Sequence, residues 1–171
     1  MLPYQWLGDV SPEFSELGIE ERDAIASFTF LWSLFESKKL GTQGNIRELC
    51  RFVRGAADNE NLLAECAAPF QYFQNRYSAD ADGQRRFENL WDGNREREHR
   101  QRCLSVLHGA ECSSSERLLI LLMIVYRLRN NLFHGSKWAY GLRGQLDNFC
   151  NANLVLQKIL SFEKNRQRVG A

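Results

Sequence analysis

The chain has 171 residues, of which 44% are hydrophobic and 25% charged, and its formal net charge is +1. This length and composition predict one soluble globular domain, 1–171, large enough to form a core without disulfide staples. No run of 18 apolar residues is present, which excludes a membrane-spanning helix, and the balanced charge disfavours extensive binding to a nucleic-acid backbone. A compact site with a few local arginines is still compatible with this charge.

The first segments in chain order are an irregular lead-in and a long helix. We expect residues 1–19 to be irregular because Pro3, Gly8, Pro12 and Gly18 interrupt them. Residues 20–40 are predicted to form the first long helix, because apolar side chains recur there at a spacing of three and four. These side chains are Ile25, Phe28, Leu31, Trp32 and Phe35.

Further helical patterns follow. Asn45 and Glu48 resemble a capping box that opens a short helix to about Val53. Residues 59–77 form another helical segment that Pro69 could kink or split. The remaining patterns predict an arginine-rich helix at 84–102, an apolar helix at 117–133, a last helix at 145–163 and a mobile basic tail at 164–171. The chain is therefore predicted to be an all-α bundle of about five to six helices.

Targeting and metal-binding patterns are weak. The segment 1–9 has no basic region before an apolar one, so no secretory signal is predicted. Five cysteines without a C-x-x-C pair predict reduced thiols in a cytoplasmic protein. Cys103, His108 and Cys112 are irregularly spaced, so neither a metal site nor a cofactor is expected.

The apolar helix ends in polar residues that packing alone does not explain. Ser113 and Glu116 form a capping pattern at its start, and Gly135 is a plausible stop. Residues 118–125 are all apolar, which predicts a helix in the middle of the domain. Its last turns carry two arginines, two asparagines and a histidine, namely Arg127, Arg129, Asn130, Asn131 and His134.

Helical geometry determines which of these side chains can converge. Asn130 and His134 are four apart and share a face, and Arg127 lies seven before His134, on nearly the same face. Arg129 lies about 140° round the helix and about 7.5 Å along the axis from His134. Its long side chain could still reach the imidazole, so spacing permits either arginine to act with His134.

The block from Arg129 to His134, Arg-Asn-Asn-Leu-Phe-His, resembles the R-x4-6-H signature of the HEPN superfamily. The form with a polar residue directly after the arginine fits, and so does Gly135. The resemblance covers this block closely and the other segments only by their helical pattern. It implies a small helical bundle that forms a homodimer, with both copies of the block at one cleft and the apolar helix in the two-fold interface.

The resemblance also implies a function. Many HEPN proteins are metal-independent ribonucleases of toxin–antitoxin, phage-defence or RNA-processing systems. It implies RNA as the substrate, an antitoxin or other protein as a possible partner, and Arg129, His134 and Asn130 as the catalytic residues. Some toxin members carry a tyrosine two residues after the histidine that a partner modifies, whereas this chain has Ser136 there.

Several other residues could support such a site. Glu36 is either a solvated glutamate or a carboxylate that orients the arginine or histidine, and Arg127 and Asn131 could assist. Arg47, Arg51 and Arg54 form one basic stripe on a helix, which is either solvated or binds RNA phosphates beside the cleft.

Two other interpretations are open at this point. The negative end of the helix dipole could simply stabilise the positive side chains near it, namely Arg127, Arg129 and a partly charged His134. The chain could also be a non-catalytic HEPN-like module that binds RNA, a nucleotide or a protein, or a purely structural dimerisation unit.

Overall fold

The computed structural model describes residues 3–56, 59–91, 96–134 and 142–169. Within these ranges the regular structure is entirely helical, which confirms the predicted all-α class. The described ranges hold ten helices where five to six were expected. They are α1 (Pro3–Val10), α2 (Pro12–Ser15), α3 (Ile19–Lys39), α4 (Ile46–Gly55), α5 (Asn59–Glu65), α6 (Ala67–Arg76), α7 (Ala81–Leu90), α8 (Arg97–Leu107), α9 (Ser114–Phe133) and α10 (Leu146–Val169).

Helix α9 occupies the centre of the fold, as its apolar run predicts. It packs against α4, α5, α7 and α8, while α10 packs along α3 and touches α5 and α6. Leu118 and residues 120–125 are all buried. Each such side chain contributes about 1.5–3 kcal/mol of hydrophobic stabilisation. The apolar run of α9 is therefore covered by helices of its own chain and does not require a second copy to bury it.

Two predicted helix starts are confirmed. The Asn45 side chain accepts a hydrogen bond from the Glu48 N–H (3.0 Å) at the start of α4, and Ser113 accepts one from the Glu116 N–H (3.2 Å) at the start of α9. These bonds satisfy N–H groups that the first turn of a helix leaves without a backbone partner. The Glu116 carboxylate instead accepts hydrogen bonds from Arg102, which joins α8 to α9.

The prediction of an irregular lead-in is wrong. Pro3 and Pro12 are the first residues of α1 and α2, and Gly18 caps the start of α3. Proline is well tolerated at the first helical position, because the N–H that it lacks would have no helical partner there. The Ser11 side chain accepts a bond from the Phe14 N–H (3.2 Å), so these residues begin helices rather than prevent them.

Two segments expected to be single helices are divided. The segment 59–77 splits at Cys66, and Pro69 lies in the first turn of α6, in agreement with the expected split. The predicted helix at 84–102 is wrong, because α7 ends at Leu90 and α8 begins at Arg97. Glu96, just before α8, has a φ of 65°, a left-handed conformation that no continuous α-helix contains.

The C-terminal segment also departs from expectation. Helix α10 continues to Val169, so most of the predicted mobile tail at 164–171 is helical. Lysine, arginine and glutamine are good helix formers, and no proline or glycine precedes Gly170 to end the helix. The predicted stop at Gly135 lies outside the described residues, as does the segment that follows it through residue 141.

One apolar cluster extends from Phe14 to Ile159 and draws on most of the helices. The pair of α3 and α10 illustrates its packing, with the rings of Phe28 and Phe149 5.2 Å apart and Asn153 donating to the Ala24 carbonyl (2.9 Å). All five cysteines are free, and burial raises the pKa of the Cys66 thiol to about 11. No helix in the described part of the chain is long and apolar enough to cross a bilayer.

Candidate functional site

The predicted residues at the end of α9 differ in their exposure to solvent. His134 follows the last helical residue, its side chain is exposed, and its backbone N–H donates to the Asn130 carbonyl (2.8 Å). Arg129 and Asn130 are half-buried, and Asn131 is buried. The helix thus ends in an exposed histidine, five residues after an arginine that is partly withdrawn from water.

Arg129 is held by aromatic side chains on two sides. Its guanidinium carbon lies 5.9 Å from the ring centre of Trp32 on α3 and 5.1 Å from that of Phe133. One terminal nitrogen also donates to the Asn130 side chain (3.1 Å), while Arg129 Nε is buried and has no hydrogen-bond partner in the described part of the chain. A cation between aromatic faces is restrained in position but keeps its full charge.

Arg127 has a different environment. Only 12% of its side chain is exposed, and its guanidinium lies over Trp91 at 5.3 Å. Its Nε donates to the Leu90 carbonyl (3.5 Å), and one terminal nitrogen is 3.9 Å from the Glu96 carboxylate. Arg127 therefore connects α9 to the end of α7 and to the start of α8.

Asn131 contributes to the same connection. Its side-chain amide donates to the carbonyls of Leu90 (3.0 Å) and Asn89 (3.3 Å), the last residues of α7. Carbonyls at a helix C-terminus lack helical partners, so a buried amide there satisfies them. Asn131 thus supports the helix that carries the site and faces away from solvent.

Glu36 contacts the site through Trp32. One carboxylate oxygen accepts from the Trp32 indole N–H (2.9 Å), and the other accepts from the Gly44 backbone N–H (2.6 Å). Glu36 was expected either to be solvated or to orient Arg129 or His134 directly. Its carboxylate instead accepts hydrogen bonds from Trp32 and Gly44. Glu36 fixes the indole on which the Arg129 guanidinium lies, and it fixes the turn between α3 and α4 against the same indole.

Alanine in place of Glu36 is expected to destabilise the fold by about 1–3 kcal/mol, because it leaves two N–H donors, those of Trp32 and Gly44, without acceptors. Chemical denaturation followed by circular dichroism measures this change. Ser33→Ala, at an exposed position on the same helix, is the control and should shift the free energy of unfolding by no more than about 0.5 kcal/mol. Equal stability of the two variants would show that the Glu36 contacts contribute nothing.

The predicted basic stripe on α4 divides into two parts. Arg47 and Arg51 line a cavity at the turn between α3 and α4, and Arg51 pairs with Glu48 (2.8 Å). Arg54 does not line this cavity, and its Nε donates to the Cys50 carbonyl one turn earlier (3.2 Å). The three arginines therefore do not act as one continuous surface.

Trp32 and Phe133 were not predicted to be parts of this site. Trp32 was assigned to the core, and it is indeed 2% exposed, but its ring also supports Arg129. Phe133 was predicted only as part of the apolar helix and of the block from Arg129 to His134, and 54% of it is exposed. The spacing of four between Arg129 and Phe133 was the available signal, since such residues are neighbours on a helix.

Comparison with known proteins finds no relative of this chain. No protein-family model, curated protein or solved structure matches the chain. Within the described ranges, no group of three or more His, Cys, Asp or Glu side chains is arranged to hold a metal ion. The function must therefore be inferred from the side chains themselves.

Proposed function

We propose that the chain is a metal-independent endoribonuclease of the HEPN type, in which Arg129 and His134 act on an RNA phosphodiester. The observation that carries the proposal is the arrangement at the end of α9. The Arg129 guanidinium is held against the rings of Trp32 and Phe133. The next residue after Phe133 is His134, which is exposed.

The chemistry requires proton transfer and charge stabilisation. The RNA 2′-hydroxyl loses a proton and attacks the adjacent phosphorus, and the leaving 5′-oxygen gains a proton, which leaves a 2′,3′-cyclic phosphate. Histidine is suited to the proton transfers because its ordinary pKa of about 6.5 lies near neutral pH. Arginine is suited to the phosphoryl oxygens because its planar fork can bind two of them.

Asn130 has a positioning role in this proposal. Its side-chain oxygen accepts from Arg129, and its backbone carbonyl accepts from the His134 N–H. One residue thus contacts both catalytic residues, through its side chain and its main chain. The side-chain N–H groups of Asn130 are of the kind that donates to a phosphate oxygen.

The proposal includes a homodimer in which two copies of the site share one cleft. Phe30 and Leu34 lie four apart on α3, on either side of Trp32 in sequence, and are 77% and 44% exposed. This exposed apolar pair on α3 offers a surface that a second copy could cover. Sedimentation equilibrium of the purified protein measures the oligomeric state directly, and a monomer at micromolar concentration would contradict this part of the proposal.

Replacing His134 by alanine is expected to slow RNA cleavage by about 10²–10⁴-fold, the usual contribution of a general acid–base residue. The measurement uses wild-type and variant protein with a mixed set of labelled RNAs in EDTA, and the ends are analysed for cyclic phosphate. His99→Ala removes another exposed histidine, on α8, and serves as the matched control.

The outcomes separate the candidate functions. Cleavage by wild type and His99→Ala but not by His134→Ala supports the nuclease. Cleavage that is equal in all three proteins contradicts the role of His134. Intact RNA with folded wild-type protein, together with salt-dependent RNA affinity, would instead favour a non-catalytic RNA-binding module.

A further inference from the structure

The turn between α3 and α4 forms a cavity with a basic lining. Its volume is about 200 Å³, and its walls are Leu40, Gly41, Gln43, Arg47, Glu48 and Arg51. Arg47 and Arg51 are four apart on α4 and therefore lie on the same face of the helix. The cavity thus offers guanidinium and amide donors in a space well above the roughly 10–15 Å³ that one water needs by this measure.

Among the residues that line this cavity, two are positively charged and one is negatively charged. Glu48 is 8% exposed, and its carboxylate pairs with Arg51 (2.8 Å). Within the described ranges no carboxylate pairs with Arg47, whose side chain is exposed. Arg51 also keeps donors in addition to the one that Glu48 accepts, since a guanidinium has five N–H groups. The charged residues that line the cavity, Arg47, Arg51 and Glu48, have a net charge of +1. This charge is equal and opposite to the single negative charge of a phosphodiester.

The cavity wall is held in one conformation. Gly41 and Thr42 have φ values of 56° and 65°, and a β-branched residue such as threonine rarely adopts a positive φ. The N–H groups of Leu40 and Thr42 both donate to the Glu36 carbonyl (3.1 and 3.2 Å), while the Gly44 N–H donates to the Glu36 carboxylate. The backbone of the turn that forms one wall of the cavity is therefore fixed before a ligand arrives.

The same contacts place the cavity at the end of the bundle that carries the candidate site. A Cβ atom on Gly44 would lie 3.1 Å from the Trp32 ring, so the turn approaches the indole closely. The Arg129 guanidinium lies over that same indole. Trp32 thus joins the start of α4 to the end of α9.

We propose that Arg47 and Arg51 bind a backbone phosphate of the RNA at a position separate from the phosphate that is cleaved. This inference rests on the proposed function for the identity of the ligand, but not for the existence of an anion site. Its role is to hold the strand at the turn between α3 and α4 while Arg129 and His134 act on another phosphodiester. Because it recognises only a phosphate, it contributes affinity without sequence preference.

The test measures the affinity of full-length His134→Ala protein for a fluorescent single-stranded RNA by anisotropy at several salt concentrations. Adding Arg47→Ala or Arg51→Ala is expected to weaken binding about tenfold for every RNA sequence tested. Arg47→Ala should also reduce the slope of log affinity against log salt by about 0.7, the value for one phosphate contact on a single strand. Arg54→Ala removes the same charge from the same helix outside the cavity and is the matched control.

A gain of affinity provides a second readout. Glu48→Gln removes the carboxylate that opposes the phosphate but keeps a hydrogen-bond acceptor for Arg51. It is expected to raise RNA affinity several-fold, which a purely structural role of Arg51 does not predict. Thermal unfolding of each variant shows whether the fold is retained.

Each outcome decides between alternatives. Equal losses for Arg54→Ala and Arg47→Ala would mean that α4 contributes only general positive charge, which overturns the site. Binding of ATP, but not RNA, that depends on Arg47 would assign the phosphate to a nucleotide. Unchanged RNA affinity in Arg47→Ala, with cleavage intact in the parent protein, removes this site and keeps the nuclease. Affinity that depends on Arg47 without any cleavage keeps the site and removes the nuclease.

Discussion

Alanine in place of Arg129 is expected to slow RNA cleavage by about 10³–10⁵-fold, the range known for arginines that stabilise charge in phosphoryl transfer. The guanidinium is half-buried between Trp32 and Phe133, so it meets the phosphate with little rearrangement. The fold should lose only about 1–3 kcal/mol, since a cation–π contact contributes about 0.5–1 kcal/mol at an exposed ring such as Phe133 and about 2 kcal/mol at a buried one such as Trp32. Single-turnover cleavage rates and thermal unfolding of the same preparation measure both quantities.

Arg127→Ala is the matched comparison and should show the opposite pattern. Its loss uncovers Trp91 and removes a donor from the Leu90 carbonyl, at a cost of about 1–3 kcal/mol. Cleavage by the folded fraction should persist. If Arg127→Ala instead abolishes cleavage at full stability while Arg129→Ala remains active, the assignment of the two arginines is reversed.

Arg129→Lys tests what the guanidinium itself supplies. Lysine keeps the positive charge but lacks the planar fork that binds two phosphoryl oxygens and lies flat on an aromatic ring. Activity between that of wild type and that of Arg129→Ala is expected. Full activity in Arg129→Lys would show that charge alone is sufficient.

The features predictable from the sequence are those with local causes. The capping side chains Asn45 and Ser113 act within one turn, and the apolar run at 118–125 requires burial whatever surrounds it. Helical spacing likewise places Asn130 and His134 on one face without knowledge of other helices. These signals fixed the all-α class and located the end of α9 as the candidate site.

The features that were not predictable depend on contacts between distant segments. Spacing along the helix allowed either arginine to act with His134. The two are distinguished only by the neighbouring helices, since Arg129 lies over Trp32 of α3 and Arg127 lies over Trp91 at the end of α7. The break before α8 needs Glu96 in a left-handed conformation, which charge patterning does not signal. The role of Glu36 likewise depends on a turn that returns Gly44 to it across eight residues.

Replacing Trp32 by alanine is expected to destabilise the fold by about 3–5 kcal/mol, because it opens a cavity at a side chain that is 2% exposed. In a domain of this size each kcal/mol lowers the melting temperature by about 2–4 °C. Cleavage should also fall in the protein that remains folded, because Arg129 loses the face that restrains it. Differential scanning calorimetry and cleavage rates below the transition give the two effects separately.

Two further variants divide the effect of Trp32 into its parts. Trp6→Ala removes a tryptophan that is 56% exposed, and it should leave stability within about 0.5 kcal/mol of wild type. Trp32→Phe keeps an aromatic face for Arg129 but removes the donor to Glu36, so it should retain most activity while losing stability. A double-mutant cycle with Glu36→Ala then measures the indole–carboxylate coupling. If Trp32→Phe loses as much activity as Trp32→Ala, the hydrogen bond to Glu36 positions Arg129; if it retains activity, the aromatic face alone is sufficient.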